Sequence, residues 1–363
     1  MAATTMALQE KPTVSLDYDA QLWQARFSPC GKFLAGAGYD RTIQRWDATS
    51  DEFTPLAPLT GHNGWVQCLA FQPKGELLFT ADSWGQLACW RYADEQPKLV
   101  WSHKEAHPGW IRSIAVSPDG RWVASAGYDS IVRVWSTKDG KLHKELDGHT
   151  ANVFSVCFHP DCKSLVSGDL EGVIRHWELA SAKLVRELDA STLYRLDNNQ
   201  QCGGVRQLNL DAEGKWLVAA GQKASQGGFA TGLPCVLLFD WKSGKQSQEM
   251  QIGTDTDGFI YDVHFHPDGF IMATAGAFPG KGQVWFWRPG EKEAFYISKK
   301  LPNGRSLSLH PDGRLAMLVC LSRNSNGKPL KDGEYLGGSS RIDLLAFGPA
   351  DAEKKPDKKS KKV

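Results

Sequence analysis

The chain has 363 residues, of which 41% are hydrophobic and 23% charged, and its formal net charge is +1. These values are typical of a soluble globular protein and argue against a disordered chain or one with a strongly basic nucleic-acid footprint. The chain contains 36 Gly and 14 Trp residues and little helical periodicity, and its length exceeds one ordinary compact core. A β-rich repeat architecture is therefore favoured.

The two ends of the chain differ from its body. Residues 351–363 carry six lysines and three acidic residues, and the rest of the chain is nearly neutral. Such a charge run favours a solvated tail over a partner-binding or targeting segment. Residues 1–11 lack the features of a secretory leader, and no run of about 18 apolar residues follows. We predict a flexible lead at 1–11, a folded body at 12–349, a disordered Lys-rich tail at 350–363 and no membrane segment.

Eight cysteines are scattered along the chain without a CxxC pair, at positions 30, 68, 89, 157, 162, 202, 235 and 320. We interpret them as reduced thiols, which indicates a cytoplasmic location, or the nucleus if the source is eukaryotic and the tail is a targeting signal. No group of residues predicts a metal or another cofactor.

One turn signature returns seven times along the chain. Its occurrences are FSPCGK (27–32), FQPKGE (71–76), VSPDGR (116–121), FHPDCK (158–163), LDAEGK (210–215), FHPDGF (265–270) and LHPDGR (309–314). Alternating apolar residues flank each turn, which predicts two strands joined by a tight hairpin. A third strand follows in each unit and ends on an aromatic residue: Trp46, Trp90, Trp135, Trp177, Phe239, Trp287 or Phe347.

The spacing of these units carries a family resemblance. The first four aromatic residues lie 44, 45 and 42 residues apart, Gly-His pairs occur at 61–62 and 148–149, and Asp47 follows Trp46. These features resemble the WD-repeat family, whose repeats span roughly 40 to 45 residues with four strands per blade. The resemblance extends from about residue 14 to residue 349. It implies an all-β fold, a single seven-bladed WD40-type β-propeller.

The resemblance also implies a buried tetrad in some blades, formed by a His before strand a, a Ser or Thr in strand b, an Asp in the b–c turn and the Trp of strand c. Blade 3 has all four residues: His107, Ser125, Asp129 and Trp135. Blade 4 has His149, Ser167 and Trp177, with Glu171 at the acidic position. Blade 2 has His62, Thr80 and Trp90, with Trp84 in place of the acid. We interpret these residues as structural and not catalytic, because buried polar groups must pair.

The chain begins with a strand-like segment at 12–18, whereas the last unit stops after its third strand at 342–347. We expect the first strand to complete the last blade. That closure removes the exposed sheet edges of an open ring, so loss of residues 1–20 is expected to destabilise the whole ring.

Extra residues gather in connections that open on one face of a WD blade. They occur at 189–204, 222–234, 277–282 and 322–339, in blades 5 to 7. Insertions on one face of a repeat protein commonly mark its binding face. The Gly-rich segments 222–232 and 322–340 are interpreted as mobile lids, the alternative being disordered decoration. Hidden strands within 189–204 would change the blade count by one.

The mouth of the central channel on that face is predicted to carry aromatic and arginine residues. In the family, the position after the first apolar residue of strand a faces the mouth, which places there Trp23, Gln67, Arg112, Phe154, Arg206, Tyr261 and Arg305. Four residues come two places earlier: Trp65, Trp110, Asn152 and Phe259. Two more, Tyr39 and Tyr128, precede turn aspartates.

Residues of these types carry much of the binding energy of protein interfaces. We expect Trp23, Phe154 and Tyr261 to be exposed anchors, whereas Trp65 and Trp110 either join them or pack against neighbouring blades. Three arginines without an evident carboxylate ring favour an acidic or phosphorylated ligand segment.

The sequence thus predicts a non-catalytic scaffold that binds proteins or peptides at the channel mouth, as a monomer within larger complexes. The alternative is a propeller enzyme or small-molecule-binding protein with its site at the same mouth. His264 and His266 share one side of a strand, but no third metal ligand is evident and no Walker, GxSxG or HExxH motif occurs. Nucleic-acid binding through the tail is a third hypothesis, against which the near-neutral body argues.

Overall fold

The computed structural model is an all-β ring of seven antiparallel blades, which confirms the predicted fold class. The structure describes residues 6–9, 12–197, 199–224, 232–254, 257–277, 281–299, 304–313, 315–321, 328–331, 334–336 and 338–349. Within these ranges the helical content is one 3-10 turn, Ser191–Leu193. No helix in the described part of the chain has the length and apolarity to cross a membrane.

Each of the first four blades is a four-stranded sheet whose strands a to d run from the channel to the rim. Blade 1 consists of Leu22–Phe27, Phe33–Gly38, Ile43–Asp47 and Thr54–Leu59. Blade 2 consists of Val66–Phe71, Leu77–Asp82, Leu87–Arg91 and Lys98–His103. Blade 3 consists of Ile111–Val116, Trp122–Gly127, Val132–Ser136 and Leu142–Leu146. Blade 4 consists of Val153–Phe158, Ser164–Asp169, Val173–Glu178 and Lys183–Asp189.

The later blades have the same strand order with longer strands b and c. Blade 5 consists of Gln207–Leu210, Trp216–Ala224, Gly232–Asp240 and Gln246–Gln251. Blade 6 consists of Phe259–Phe265, Ile271–Ala277, Lys281–Trp287 and Tyr296–Ser298. Blade 7 consists of Gly304–Leu309, Leu315–Leu321 and Ser340–Pro349, with Met6–Leu8 and Val14–Tyr18 from the N-terminus. Two hairpins are additional: Tyr194–Asp197 with Gln200–Gly203, and Lys328–Lys331 with Glu334–Leu336. The first hairpin lies within 189–204, and the blade count remains seven.

The N-terminal strand closes the ring as predicted. Val14 pairs with Leu344 and Tyr18 with Ser340, so this segment forms strand d of blade 7. Residues 6–8, which we expected to belong to a flexible lead, also pair with the strand Ser340–Pro349, at residues 347–349. The closing edge therefore begins before residue 12.

The hydrophobic core is divided into seven clusters, one between each pair of neighbouring blades. Between blades 2 and 3, for example, Trp135 packs with Phe79 and Cys89 of the preceding blade. Because each blade buries its apolar faces only against its neighbours, stability depends on the complete ring.

Polar side chains of strand a form an inner belt that links successive blades around the channel. Five of them hydrogen-bond to the backbone of the next strand a, and Ser155 bonds to a carbonyl just before that strand. The six members are Gln24, Ser113, Ser155, Gln207, Asp262 and Ser306. The Gln24 carboxamide oxygen accepts from the Leu69 amide at 2.7 Å, and Ser155 donates to the Val205 carbonyl at 2.8 Å. The ring is thus held by polar links at the channel as well as by its core.

Three blades contain a complete buried tetrad. In blade 3, His107 contacts Asp129 at 2.9 Å and Ser125 at 2.8 Å, and the Trp135 indole donates to the Ser125 hydroxyl. In blades 2 and 4 the histidine instead contacts the last residue of strand b, Asp82 at 2.9 Å and Asp169 at 2.7 Å.

The expectation that Trp84 and Glu171 occupy the acidic positions was therefore wrong. Asp82 also accepts hydrogen bonds from two amides of the b–c turn, at residues 84 and 86, so one carboxylate both caps the turn and binds the histidine. Blade 3 has Gly127 at this register, where a Cβ would lie 1.9 Å from the Trp110 carbonyl oxygen. Its acid consequently comes two residues later, at Asp129.

Acid should destabilise the protein through the blade 3 tetrad. Burial alone would raise the pKa of Asp129, but hydrogen bonding and charge from His107 and Arg133 outweigh it and lower the pKa to about 2. Burial lowers the pKa of His107 as well. Because both pKa values are lower in the folded than in the unfolded protein, both groups favour the folded state at neutral pH. That contribution is lost as the pH falls below the pKa of each group in the unfolded chain. For Asp129 the loss is about 2 kcal/mol between pH 4 and 2. Urea unfolding from pH 7 to 2 should show this loss. An Asp129→Asn variant should be less stable at pH 7 and vary less with pH, and an equal pH slope in both proteins would contradict the assignment.

The face opposite the insertions is held by the repeated turns. His159 contacts the Gly214 carbonyl oxygen of the next blade at 3.3 Å, and His310 contacts that of Gly31 at 3.2 Å. Gly31 has φ +73°, and a Cβ there would lie 2.6 Å from the His310 ring. His266 occupies the same turn position and accepts from the Asp268 amide. These contacts give the turn histidines a structural role.

The mouth of the channel as candidate site

The residue that the repeat alignment placed at the mouth lies near the start of strand a in every blade: it is the second residue in five blades, the third in blade 6 and the one just before the strand in blade 5. All seven predicted residues line a cavity of about 650 Å³: Trp23, Gln67, Arg112, Phe154, Arg206, Tyr261 and Arg305. In every blade except blade 5, this residue falls where the register between strands a and b shifts. A β-bulge adds an unpaired residue and redirects its side chain. The strand geometry therefore turns these side chains into the channel.

Ten side chains form a closed circle of contacts, which we term the mouth ring. In order they are Trp23, Tyr39, Trp65, Trp110, Tyr128, Phe154, Arg206, Phe259, Tyr261 and Arg305, which returns to Trp23. Neighbouring ring centroids, or a ring centroid and a guanidinium carbon, are 4.1 to 6.5 Å apart. Aromatic residues dominate blades 1 to 4, and arginine–aromatic pairs dominate blades 5 to 7.

The exposed members of the mouth ring differ from those expected. Trp65 and Tyr128 are 40% and 43% exposed, whereas Trp23, Phe154 and Tyr261 are half-buried. The expectation that these three are the exposed anchors was wrong, because the guanidinium groups of Arg206 and Arg305 cover their rings. Trp65 both packs between Tyr39 and Trp110 and remains accessible.

Trp84 is a further surface residue that sequence reasoning assigned to the tetrad. It follows Asp82 in the b–c turn of blade 2 and is 67% exposed, on the face that carries the mouth. Together with Trp65 and Tyr128, it makes this side of the mouth an accessible aromatic surface. Trp84 follows Asp82 by two residues, and this position within the b–c turn could have identified it as a surface residue.

Three mouth arginines have no carboxylate partner within the described residues. Arg112 donates to the Gln67 carboxamide oxygen at 3.3 Å and lies 5.5 to 5.9 Å from the rings of Trp110, Tyr128 and Phe154. Burial, followed by the neighbouring charge of Arg112, lowers the pKa of Arg206 to about 10. The group is still cationic at neutral pH, so the mouth carries uncompensated positive charge.

In strand a of blade 6, the residue after Tyr261 is a buried acid that the sequence analysis did not identify. Asp262 is 2% exposed and contacts the Arg26 guanidinium at 2.8 Å and His264 at 3.0 Å. Burial would raise the pKa of Asp262, but the charges of Arg26 and His264 hold it well below its usual range. The carboxylate also accepts from the Leu307 amide at 3.0 Å. This cluster joins blades 6, 7 and 1 and is electrically balanced, unlike the mouth above it.

The channel offers little reactive chemistry among the residues described. No group of three or more His, Cys, Asp or Glu residues in those ranges is placed to hold a metal ion. All eight cysteines are free. Cys68 and Cys157 line the cavity, and burial raises the pKa of each to about 12, so both are protonated thiols at neutral pH.

Parts of the two predicted lids lie outside the described residues, at 225–231 in the first and at 322–327, 332–333 and 337 in the second. Within the second lid, the structure describes the hairpin of Lys328–Lys331 with Glu334–Leu336. Strands b and c of blade 5 are each nine residues long, and the hairpin at 194–203 contacts strand b of that blade. The described insertions therefore enlarge blade 5 on the face that carries the mouth.

Comparison with known proteins agrees with this architecture. A family model described as WD domain, G-beta repeat matches residues 11–47, 53–91, 98–136 and 140–178. The chain is similar to apoptotic protease-activating factor 1 of Homo sapiens (32% identical over 107 residues, 28% of this chain and 8% of that protein). It is also similar to nuclear distribution protein nudF 2 of Aspergillus clavatus (34% over 111 residues, 30% and 25%). A third relative is the chromatin assembly factor 1 subunit FAS2 homolog of Oryza sativa subsp. japonica (26% over 151 residues, 39% and 28%).

The matched regions thus span less than a third of each relative's length. Within this chain, the four family matches extend to strand c of blade 4, and the first includes the N-terminal strand that closes the ring. Blades 5 to 7 repeat the same strand order without a family match. Blades 1 to 4 thus carry four WD repeats, and the chain folds as a seven-bladed β-propeller.

Proposed function

We propose that this protein is a non-catalytic scaffold that binds partner proteins through a segment docked on the mouth ring. The observation that carries the proposal is the ring itself, a continuous circle of aromatic and arginine side chains with exposed Trp65 and Tyr128. Such side chains bury large areas and keep a polar or cationic end, which is why they dominate binding energy at interfaces.

Rigidity supports the same proposal. The core clusters between blades and the inner belt fix the strands that carry the mouth residues. A preformed surface lowers the ordering cost of association. WD-repeat propellers generally bind proteins, and one relative is named as a subunit of an assembly factor. We further propose that the protein acts as a monomer within complexes in the cytoplasm.

The charge of the mouth supports an acidic or phosphorylated partner segment. Arg112, Arg206 and Arg305 face a cavity large enough for one or more side chains, and no carboxylate in the described ranges pairs with them. An anionic side chain could therefore enter the channel while the rest of the segment contacts the aromatic residues of blades 1 to 3.

Capture of partners from the source cell tests the scaffold. The double variant Phe154→Ala, Arg206→Ala breaks the mouth ring at two adjacent members, and we expect it to lose partners that the intact protein retains. Its melting temperature should fall by a few degrees at most, because Phe154 is half-buried and removal of Arg206 relieves repulsion from Arg112.

A matched control pair is available outside the mouth. Arg288 stacks on Phe295 with 3.8 Å between the guanidinium carbon and the ring centroid, near the c–d turn of blade 6. Replacing both by alanine should leave capture intact. If the mouth variant retains the same proteins as the control, the mouth ring is not the docking surface.

A further inference from the structure

We infer that the channel mouth is a binding site for a phosphate monoester, a doubly charged oxyanion received between Arg206, Arg305 and the neighbouring N–H donors. The inference rests on the proposed function, since it concerns the same face, and it adds the chemistry of the group that enters the channel.

The mouth presents buried donors that lack acceptors. Within the described residues, four nitrogen atoms of this layer are buried without a hydrogen-bond partner: Trp23 Nε1, Gln67 Nε2, Arg206 Nε and Arg305 Nε. Gln67 is only 9% exposed, and its carboxamide oxygen is occupied by Arg112. All four groups are N–H donors. Because unsatisfied buried donors destabilise a site, its complement is a group made of acceptors.

The next layer of the channel differs from the mouth, because its polar groups already have hydrogen-bond partners within the protein. Asp262 is bonded to Arg26, Ser306 and the Leu307 amide, and Gln24 is bonded to the Leu69 amide. The inner belt therefore holds the blades together and has little capacity left for a ligand. The four unsatisfied donors of Trp23, Gln67, Arg206 and Arg305 lie instead at the mouth, where a ligand from solvent arrives first.

The charge of the site excludes a cationic ligand. Arg112 already lies over the rings of Trp110, Tyr128 and Phe154 at cation–π distances, so these rings do not form a vacant cage for another cation. Arg206 and Arg112 line the same cavity, and the charge of Arg112 is, after burial, the second cause of the lowered pKa of Arg206. An anion would relieve that repulsion.

The number of donors distinguishes phosphate from carboxylate. A carboxylate offers two oxygens and one charge, whereas a phosphate monoester offers three free oxygens and a charge near −2 at neutral pH. Three arginines and two further residues with donor groups, Trp23 and Gln67, line one cavity. Guanidinium groups bind phosphate oxygens through paired hydrogen bonds. The site is therefore matched to the dianion, and its aromatic members can contact the group that carries the phosphate.

Calorimetric titration of the full chain tests this inference with three small probes, phenyl phosphate, benzoate and inorganic phosphate, at pH 7.5 and constant ionic strength. We expect phenyl phosphate to bind at least about 10-fold more tightly than benzoate. Arg206→Gln and Arg305→Gln should each weaken phenyl phosphate binding by about 10- to 100-fold. Arg288→Gln, which removes a stacked arginine outside the mouth, should leave it unchanged.

A folding defect is separated from a binding defect by Arg206→Lys, which retains the charge and loses the paired donors. It should melt like the parent protein and bind phenyl phosphate with intermediate affinity. Equal affinities for phenyl phosphate and benzoate would overturn the preference for a dianion. Unchanged affinity in both glutamine variants would overturn the location, and inorganic phosphate binding as tightly as phenyl phosphate would overturn the assignment to an ester.

The two proposals can fail separately. If phenyl phosphate binds as expected but partner capture does not depend on Phe154 and Arg206, the mouth binds a small phosphate ester and the scaffold proposal fails. If capture depends on these residues but no phosphate probe binds, the oxyanion inference fails and the scaffold proposal stands.

Discussion

Deletion of residues 1–20 should abolish the cooperative thermal unfolding of this protein and leave it aggregated or partly folded. The deleted strand supplies Leu8 to the core between blades 6 and 7, and Val14, Leu16 and Tyr18 to the core between blades 7 and 1. Full burial of one such side chain is worth about 1.5 to 3 kcal/mol. Leu8 is buried, and the other three are half-buried. The deletion also leaves the edge of Ser340–Pro349 without its backbone partner. The loss approaches the whole stability of a typical domain, about 5 to 15 kcal/mol.

A deletion of residues 1–5 is the matched control, because it retains every described contact of the N-terminal strand. Calorimetry and size-exclusion chromatography of the two truncated proteins check the prediction. A melting temperature for the longer deletion within about 5 °C of the parent protein would show that ring closure contributes little.

Asp262→Ala should be the most damaging single substitution in the channel, with a loss of about 3 to 5 kcal/mol. The carboxylate is 2% exposed and is bonded to Arg26, Ser306 and the Leu307 amide. Its removal leaves a largely buried guanidinium without an opposite charge and a buried amide without an acceptor. Chemical denaturation at pH 7 measures the loss.

Asp268→Asn is the control for Asp262→Ala, since Asp268 is an exposed acid that pairs with His266 in the same blade. Its effect should stay below about 1 kcal/mol. The double variant Arg26→Met, Asp262→Met should recover part of the stability lost by Asp262→Ala, because it removes both charges together. A single variant as stable as the control would mean that the inner belt does not need this acid.

Much of the fold could be predicted from sequence because the information is local. Each tight turn and its flanking alternation lie within a dozen residues, and seven such units fix the number of blades. The orientation of the mouth residues also follows from strand register, so Trp23, Arg206 and Arg305 could be assigned to the channel before any contact was known. The closing strand was predictable because the last unit lacks its fourth strand.

The same local reasoning misassigned residues whose partners come from elsewhere. Asp82 lies two residues after Thr80, at the end of strand b, and binds His62. The sequence did not indicate this contact, because the family pattern places the tetrad acid in the b–c turn. Phe154 and Tyr261 were expected to be exposed, yet arginines from neighbouring blades cover them. Burial of this kind depends on which side chains the ring brings together.

The sequence by itself determined the number of blades, the closing strand and the positions that face the channel, because turn chemistry and strand alternation act over a few residues. Only the tertiary structure decided which acid completes each tetrad, that the mouth side chains form a closed circle, and that a balanced Asp262–Arg26 pair underlies an unbalanced mouth. The Asp262 pair and most contacts of the mouth ring join residues from different blades, such as Arg26 with Asp262, whereas each tetrad acid lies in the same blade as its histidine. Closure of the ring creates these contacts between blades, and local sequence patterns do not indicate which residues of distant blades come together.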